Sequence, residues 1–384
     1  MNLPDFVIFT RDLFKTKEFI PLHEPVFLGN EKKYVNDTID SSIVSSIGPF
    51  VNLFEKKLSE FINVTDSVAF VNGTSALHVG LRAAGVKQKN EVITQALTFV
   101  ATANSIKYLD ADPVFIDVDI DTMSMSPISL NKFLNEYGDK REDGTYNKKT
   151  GNKISACVPM HTFGFMSRID QIIEICKKWD IPVIEDAAEA LGSKFKGKPA
   201  GSFGLLSAFS FNGNKIITSG GGGAVCSNNK QIAEISKHLS TTAKQKHKWE
   251  YFHDQMGYNY RMPNINAALV LAQLENFRKI LQNKKNLYKK YQSFFTNGKM
   301  KLCKIPPSTD WNYWLISICL ENKEHRDFFL KYTNDNNVMT RPIWTLLYKL
   351  PMYKNSYRDD QKNAIFLEER IVNVPSSYVK ANNK

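Results

Sequence analysis

Lys215 lies in Ser210-Phe211-Asn212-Gly213-Asn214-Lys215, directly after the apolar run Leu205-Leu206-Ser207-Ala208-Phe209 and before Ile216-Ile217-Thr218-Ser219 and four glycines, Gly220 to Gly223. A lysine at the end of a buried strand is costly to keep as a cation. Burial favours the neutral amine, which is a nucleophile, and a nucleophilic amine forms Schiff bases with aldehydes and ketones. Twenty-nine residues upstream, Pro182-Val183-Ile184-Glu185-Asp186 reads as a buried strand that ends in a carboxylate. A strand-end lysine with a strand-end aspartate is the pair that pyridoxal phosphate requires. The lysine holds the aldehyde, and the aspartate keeps the ring nitrogen protonated so that the ring can accept electrons. Each residue alone has a plainer reading: Lys215 as a surface loop lysine, and Asp186 as the cap of a helix over Ala187 to Leu191.

Three further segments could complete such a site. Asn72-Gly73-Thr74-Ser75-Ala76 follows a strand and opens a helix, so its free N–H groups and two hydroxyls could bind an anion; an ordinary helix cap would look the same. Ser210, five residues before Lys215, could reach the same anion. Phe99 could stack on a flat heteroaromatic ring or simply pack in the core. His161, in Pro159-Met160-His161-Thr162-Phe163-Gly164, ends another strand and could be catalytic or a satisfied interior histidine.

The elements that must position these residues alternate along the chain. Strands are expected at Val68–Val71, Glu91–Thr94, Pro113–Val118, Ile154–Pro159, Pro182–Glu185 and Leu206–Phe211, and helices at Ser75–Ala84, Phe99–Tyr108 and Asp170–Trp179. Apolar runs alternating with amphipathic helices imply a mostly parallel sheet covered on both faces. The polar stretch Gly138 to Lys149 reads as an exposed insertion. From Pro263, apolar residues recur at three- and four-residue steps through Tyr291, which predicts one long helix leading into a second unit, with about Asn297 to Lys384 forming a small α+β lobe.

Composition sets the outer bounds. The chain has 384 residues, 42% hydrophobic and 23% charged, which suits a soluble protein with a large and a smaller domain. No apolar window is long enough for a transmembrane helix, and the N-terminal residues lack the order of a signal peptide. Five scattered cysteines (157, 176, 226, 303 and 319) suit neither a metal site nor a disulfide framework, so a cytoplasmic location is expected. The net charge of +11 is compatible with a solvated basic surface, with nucleic acid, or with attraction of an anionic substrate such as a nucleotide diphosphate.

Five ordered segments carry a resemblance: Asn72 to Ala76, Thr98 to Asn104, Glu185 to Ala188, Ser210 to Lys215, and Gly257-Tyr258-Asn259-Tyr260-Arg261-Met262. Their order resembles that of the sugar-nucleotide aminotransferases of the DegT/DnrJ/StrS type over roughly residues 19 to 380. The resemblance implies an α/β fold of the PLP-dependent transferase fold type I (the aspartate aminotransferase fold), with a mostly parallel seven-stranded sheet between helices and a smaller C-terminal α+β domain. The division falls at 1–265 and 266–384. It also implies a homodimer with shared active sites, and neither nucleic acid nor a membrane nor a metal as partner. Carried over, Lys215 holds pyridoxal phosphate, Asp186 pairs with the ring nitrogen, and Phe99 stacks on the ring. Gly73, Thr74, Ser75 and Ser210 bind the phosphate, and Asn259 reaches it from the partner subunit. Glu189 stands where the family usually has glutamine, near the phenolic oxygen, where a carboxylate is repelled unless one of the two groups is protonated.

The segments Phe19 to Pro25, Val158 to Gly164 and Thr340-Arg341-Pro342-Ile343-Trp344 resemble the legionaminic acid and bacillosamine pathway aminotransferases. That likeness implies transfer from L-glutamate to the C4 ketone of a UDP-linked 4-keto-6-deoxy-N-acetylhexosamine in two ping-pong halves, with Lys215 moving the proton in each. His161, Arg341 and Trp344 would lie near the substrate. GDP- and dTDP-linked ketosugars stay open as alternatives, as does a non-catalytic amino-sugar sensor of the same fold. Dehydratase relatives carry histidine in place of the lysine, and Lys215 argues against that chemistry.

Overall fold

A computed structural model describes residues 3–296 and 300–380. Asn297 and Lys384, the ends of the expected small lobe, lie outside the described residues, as do Met1 and Asn2. Three helices come first: α1 (Leu3–Phe14), α2 (Glu31–Asp40) and α3 (Pro49–Ile62). The main sheet follows. Its strands are β1 (Asp66–Phe70), β2 (Glu91–Gln95), β3 (Asp112–Ile116), β6 (Lys153–Val158), β7 (Ile184–Asp186), β10 (Leu206–Ser210) and β11 (Gly223–Ser227). A β4–β5 hairpin (Gly138–Arg141 and Gly144–Asn147) and the short β8 (Lys194–Phe195) and β9 (Lys198–Pro199) fall between them.

Ladder pairings give β3-β2-β6 and β7-β10-β11-β1, and parallel bridges Cys157–Val183 and Met160–Asp186 join β6 to β7. The result is the expected seven-stranded sheet. Only β11 runs against the rest, pairing antiparallel with both β10 and β1. The sheet is buried on both faces because its residues are apolar at odd and even positions alike. Val68, Phe70, Val92, Ala156, Val158, Ala208 and Val225 pack to one side, with α4 (Gly73–Ala83), α5 (Val100–Lys107) and α8 (Lys230–Ser240). Ala69, Ile93, Cys157, Phe209, Ala224 and Cys226 pack to the other, with α3, α6 (Pro127–Tyr137) and α7 (Ile169–Lys178).

The expected long helix divides into α9 (Asn264–Glu275) and α10 (Phe277–Phe294). At the junction Asn276 sends its side-chain amide to Ala272 O, 3.2 Å away, while its backbone N–H turns to Gln273 O at 3.1 Å. The side chain takes the carbonyl that a continuous helix would have used. Since α9 packs on α2 and α3, we propose that the seam between the two units falls at Asn276 rather than after residue 265. Beyond it, β12 (Lys301–Leu302), β14 (Ser317–Cys319), β16 (Ile371–Asn373) and β15 (Arg341–Pro342) form a four-stranded antiparallel sheet in that order. Helix α11 (Lys323–Asp335) lies against β15 and β16. The short β13 (Thr309–Asp310) pairs back to β8, and α12 (Lys362–Glu368) precedes β16. Among the described residues no helix is long and apolar enough to cross a membrane.

The largely exposed stretch from Gly138 folds as the β4–β5 hairpin, which continues onto the start of β6. It is anchored where Asn147 and Thr150 donate to the buried Glu91 carboxylate, at 2.8 and 2.6 Å. Residues Ala187 to Leu191 form turns rather than a helix. Asn312 Nδ2 donates to the carbonyls of Glu189 and Leu191, at 2.8 and 3.0 Å, so these groups are satisfied without helical bonds.

Two contacts hold the central strands in place. Glu185, fully buried in β7, accepts from the amides of Gly201, Phe203 and Gly204 at 2.9, 2.7 and 2.9 Å, and His161 Nε2 lies 3.0 Å from its Oε2. Burial pushes the Glu185 pKa up, but the hydrogen bonds from His161 and the loop amides outweigh it and hold the group below the usual carboxylate value. Gly223, in β11, passes so close to the start of α4 that a Cβ would sit 2.4 Å from the carbonyl carbon and oxygen of Asn72.

A carboxylate with a depressed pKa contributes stability that is present above its unfolded pKa and lost as pH falls through the folded value. Glu185→Gln should therefore cost about 1–3 kcal/mol at neutral pH, with the gap to wild type closing in acid. Urea denaturation at both pH values measures this, and a pH-independent gap would contradict it. Gly223→Ala should cost about 1–3 kcal/mol, because the added methyl meets backbone that cannot rotate away. An unchanged urea midpoint would show that β11 and α4 separate freely.

Candidate active site

A cavity of about 620 Å³ opens where the C-terminal ends of β1, β7 and β10 meet the second sheet. Its lining includes Gly73, Thr74, Phe99, Asp186, Glu189, Ser210, Lys215, Arg341 and Trp344. Nine of the twelve residues singled out from sequence thus share one cavity, although they are spread from Gly73 to Trp344. The placement follows the rule that open parallel sheets present their sites at the carboxyl ends of strands.

Asp186 closes β7 and is 6% exposed. Thr102, on the first turns of α5, donates to its Oδ2 at 2.7 Å, and the amide of Ala188 donates to Oδ1 at 3.2 Å. Burial raises its pKa, opposed by these two donors and by the charge of Lys215. Lys215 does not sit at the strand end. Strand β10 stops at Ser210, and Lys215 occupies a turn five residues later, half-buried, with its amide bonded to Asn212 O at 3.0 Å. Its Nζ lies 3.2 Å from Glu189 Oε1. Glu189 is 4% exposed, and its other oxygen accepts from the Phe163 amide at 2.9 Å. Burial pushes the Glu189 pKa up, and the nearby Lys215 charge only partly reverses this.

The anion-binding expectation has a definite geometry. Asn72 caps α4, its Oδ1 accepting from the Ser75 amide at 2.7 Å. Gly73 and Thr74 are left facing the cavity. A Cβ on Gly73 would lie 2.8 Å from Ser210 Cβ, so the helix start and Ser210 meet only because glycine allows the approach. Phe99, at the start of α5, keeps half its surface exposed and forms one wall. Arg341 is tethered to Asn334 Oδ1 at 3.1 Å, and Trp344 packs on Phe163 with ring centroids 4.8 Å apart.

Three expected residues lie elsewhere. Ser75 is buried behind the Asn72 cap, which uses its amide. His161 does not line this cavity. It is fully buried, with Nε2 on Glu185 and Nδ1 accepting from the Ser167 amide at 3.2 Å, and it braces β7 from behind. Asn259 is exposed and lines a separate cavity of about 1220 Å³ with Arg261, Lys244, Lys246 and Lys248. Sequence reasoning missed Thr102, Trp314, Leu22 and Asn373, all of which line the first cavity. Thr102 lies within the Thr98 to Asn104 segment. The aromatic cluster Trp311 to Trp314 was the one signal for Trp314.

Comparison with known proteins agrees with this geometry. Residues 28–382 match the model of the DegT/DnrJ/EryC1/StrS aminotransferase family. A GDP-perosamine synthase of Escherichia coli O157:H7 is 37% identical over 361 residues, covering 94% of this chain and 93% of the relative. A UDP-4-amino-4,6-dideoxy-N-acetyl-beta-L-altrosamine transaminase of Campylobacter jejuni is 33% identical over 274 residues, covering 68% and 69%. Helicobacter pylori PseC, an aminotransferase involved in the biosynthesis of pseudoaminic acid, shares the fold with a TM-score of 0.85 at 24% identity, covering 95% of each chain. This chain belongs to the DegT/DnrJ/EryC1/StrS family and is a pyridoxal phosphate-dependent sugar-nucleotide aminotransferase.

Proposed function

We propose that the enzyme transfers an amino group from L-glutamate to the C4 ketone of a nucleotide-linked 4-keto-6-deoxy sugar, with Lys215 holding the cofactor. The observation that carries this reading is the convergence of Lys215, Asp186 and Phe99 on one cavity beside the Thr74–Ser210 anion seat. The donor set fits pyridoxal phosphate. A lysine amine faces the cavity, a buried carboxylate closes its floor, an exposed aromatic face stands beside it, and two hydroxyls flank a helix N-terminus. When bound, that group supplies the electron sink for cleavage of a C–H bond next to nitrogen.

The residues divide the remaining work. Asp186, fixed by Thr102 and Ala188, holds the proton on the ring nitrogen. Lys215 Nζ takes the proton from the carbon that bears the amino group and returns it to the cofactor carbon, and runs the same transfer backwards in the sugar half. Glu189 keeps Nζ over the cavity. Gly73, Thr74 and Ser210 hold the phosphate. Arg341, exposed at the rim, offers charge to the substrate diphosphate. Trp344 and Phe163 wall the sugar side.

The nucleotide has two supported readings. The GDP-perosamine synthase relative, matched over nearly the whole chain, favours a GDP-linked 4-keto-6-deoxyhexose. The Campylobacter jejuni transaminase favours the UDP-linked N-acetylated ketosugar, giving UDP-4-amino-4,6-dideoxy-N-acetylglucosamine or an epimer. We further propose a homodimer in which Asn259 serves the partner's site. In its own chain Asn259 lines a different cavity from Lys215, and the segment that leads into it exposes Trp249, Tyr251, Phe252 and Met256.

Incubation with L-glutamate and GDP-, UDP- and dTDP-4-keto-6-deoxy sugars, with NMR of the product, should yield a 4-amino sugar from one nucleotide class. Lys215→Ala should abolish it; wild-type turnover in that variant would reject the mechanism. For the dimer, Asn259→Asp puts a carboxylate against the phosphate, where like charges repel. Co-expression with Lys215→Ala should restore part of the activity, because one site of the hybrid carries neither defect. Hybrids that form and stay inactive would place Asn259 in its own site.

A further inference from the structure

Lys215 Nζ lies between a carboxylate and an aromatic face. Glu189 Oε1 is 3.2 Å away, and the Nζ stands 4.2 Å from the centroid of the Trp314 ring. Trp314 is 3% exposed and held from two directions. Its Nε1 donates to Asn214 O at 2.8 Å, and its amide donates to Asn312 Oδ1 at 3.1 Å. Because Asn214 immediately precedes Lys215, the hydrogen bond ties the ring to the lysine's own turn. Asn312 also binds the carbonyls of Glu189 and Leu191, so one side chain sets both walls around Nζ.

We propose that Trp314 and Glu189 form a seat for the Lys215 ammonium whenever the lysine is not joined to the cofactor. Trp314 is then a positioning residue that sets the balance between the lysine-bound and amine forms of the enzyme. This rests on the reading of Lys215 as the cofactor-holding lysine. In the glutamate half-reaction, lysine-bound cofactor, L-glutamate and one water give the cofactor amine, 2-oxoglutarate and free Lys215. The C=N bond to Lys215 breaks, and glutamate's nitrogen stays on the cofactor carbon. That carbon is reduced as glutamate's Cα is oxidised, and the water oxygen becomes the ketone oxygen. With the nitrogens protonated on both sides, no net proton is taken up. Only the product side has a free ammonium to fill the seat, and an ammonium over a desolvated indole face is stabilised by the ring quadrupole. Weakening the seat therefore draws the equilibrium back toward the lysine-bound form.

The test is the equilibrium constant of this half-reaction, read from the absorbance of the two cofactor forms in fixed ratios of glutamate to 2-oxoglutarate. Trp314→Leu keeps an apolar side chain but removes the π face, and should lower the constant about three- to thirtyfold. Trp314→Phe keeps a weaker face and should lower it less. Affinity for pyridoxamine phosphate, with the lysine free before and after binding, should not change in either variant. An unchanged constant overturns the proposal. Equal drops in both variants also overturn it, since the Nε1 bond to Asn214 would then be the cause. A parallel loss of pyridoxamine phosphate affinity overturns it in favour of a packing role. If Trp314→Leu does not fold, Trp314→Met, which also lacks the π face and the Nε1 donor, takes its place in the same comparison with Trp314→Phe, with the same outcomes. Lys215→Ala separates the underlying reading. If that variant keeps the lysine-bound absorbance, Lys215 is not the cofactor lysine, whatever Trp314 does.

Discussion

Three carboxylates buried within five residues, Glu185, Asp186 and Glu189, are the constraint on which the site depends. An unpaired charge cannot be held in a protein interior, so each requires its own donors. Glu185 has His161 and the loop amides from Gly201 to Gly204. Asp186 has Thr102 and Ala188. Glu189 has Lys215 and the Phe163 amide. Apart from Ala188, these donors come from the loop after β6, from α5, from the loop before β10 and from the turn after it, so satisfying one short segment fixes the relative placement of most of the site.

The two carboxylates that face the cavity are balanced differently from the one that does not. Glu185 is held ionised by a full set of donors and braces the sheet. Asp186 and Glu189 are both pushed upward by burial, with Lys215 as the nearby cation that opposes the shift. A site that leaves carboxylates incompletely compensated can accept a cationic ring nitrogen or share a proton with a ligand oxygen. Burial raises the Glu189 pKa and so lowers the cost of protonating this carboxylate beside another negative group.

The aromatic and glycine residues act on geometry rather than charge. Gly73 and Gly223 let the start of α4 approach Ser210 and β11 closely enough to bring an N-terminus and a hydroxyl to one point. Trp314, Phe163 and Trp344 wall the opposite side and come from both sheets' connecting segments. The cavity is therefore bounded by the strand ends of the large sheet on one side and by the smaller sheet on the other.

The sequence alone determined the mostly parallel core, because continuous apolar runs are local, and it offered Lys215, Asp186, Thr74, Ser210 and Phe99 as candidates. It also carried the family likeness that joined them. Local signals could not show that β11 runs antiparallel, since an apolar strand reads the same in either direction. Nor could they show that Asn276 breaks a helix whose periodicity continues through it. The turns after Asp186 depend on Asn312, more than a hundred residues away. His161 had two readings that only the positions of Glu185 and Ser167 could separate. Trp314 was one aromatic residue among several in sequence, and only folding placed it over Lys215, because the contact joins two segments about a hundred residues apart in the chain.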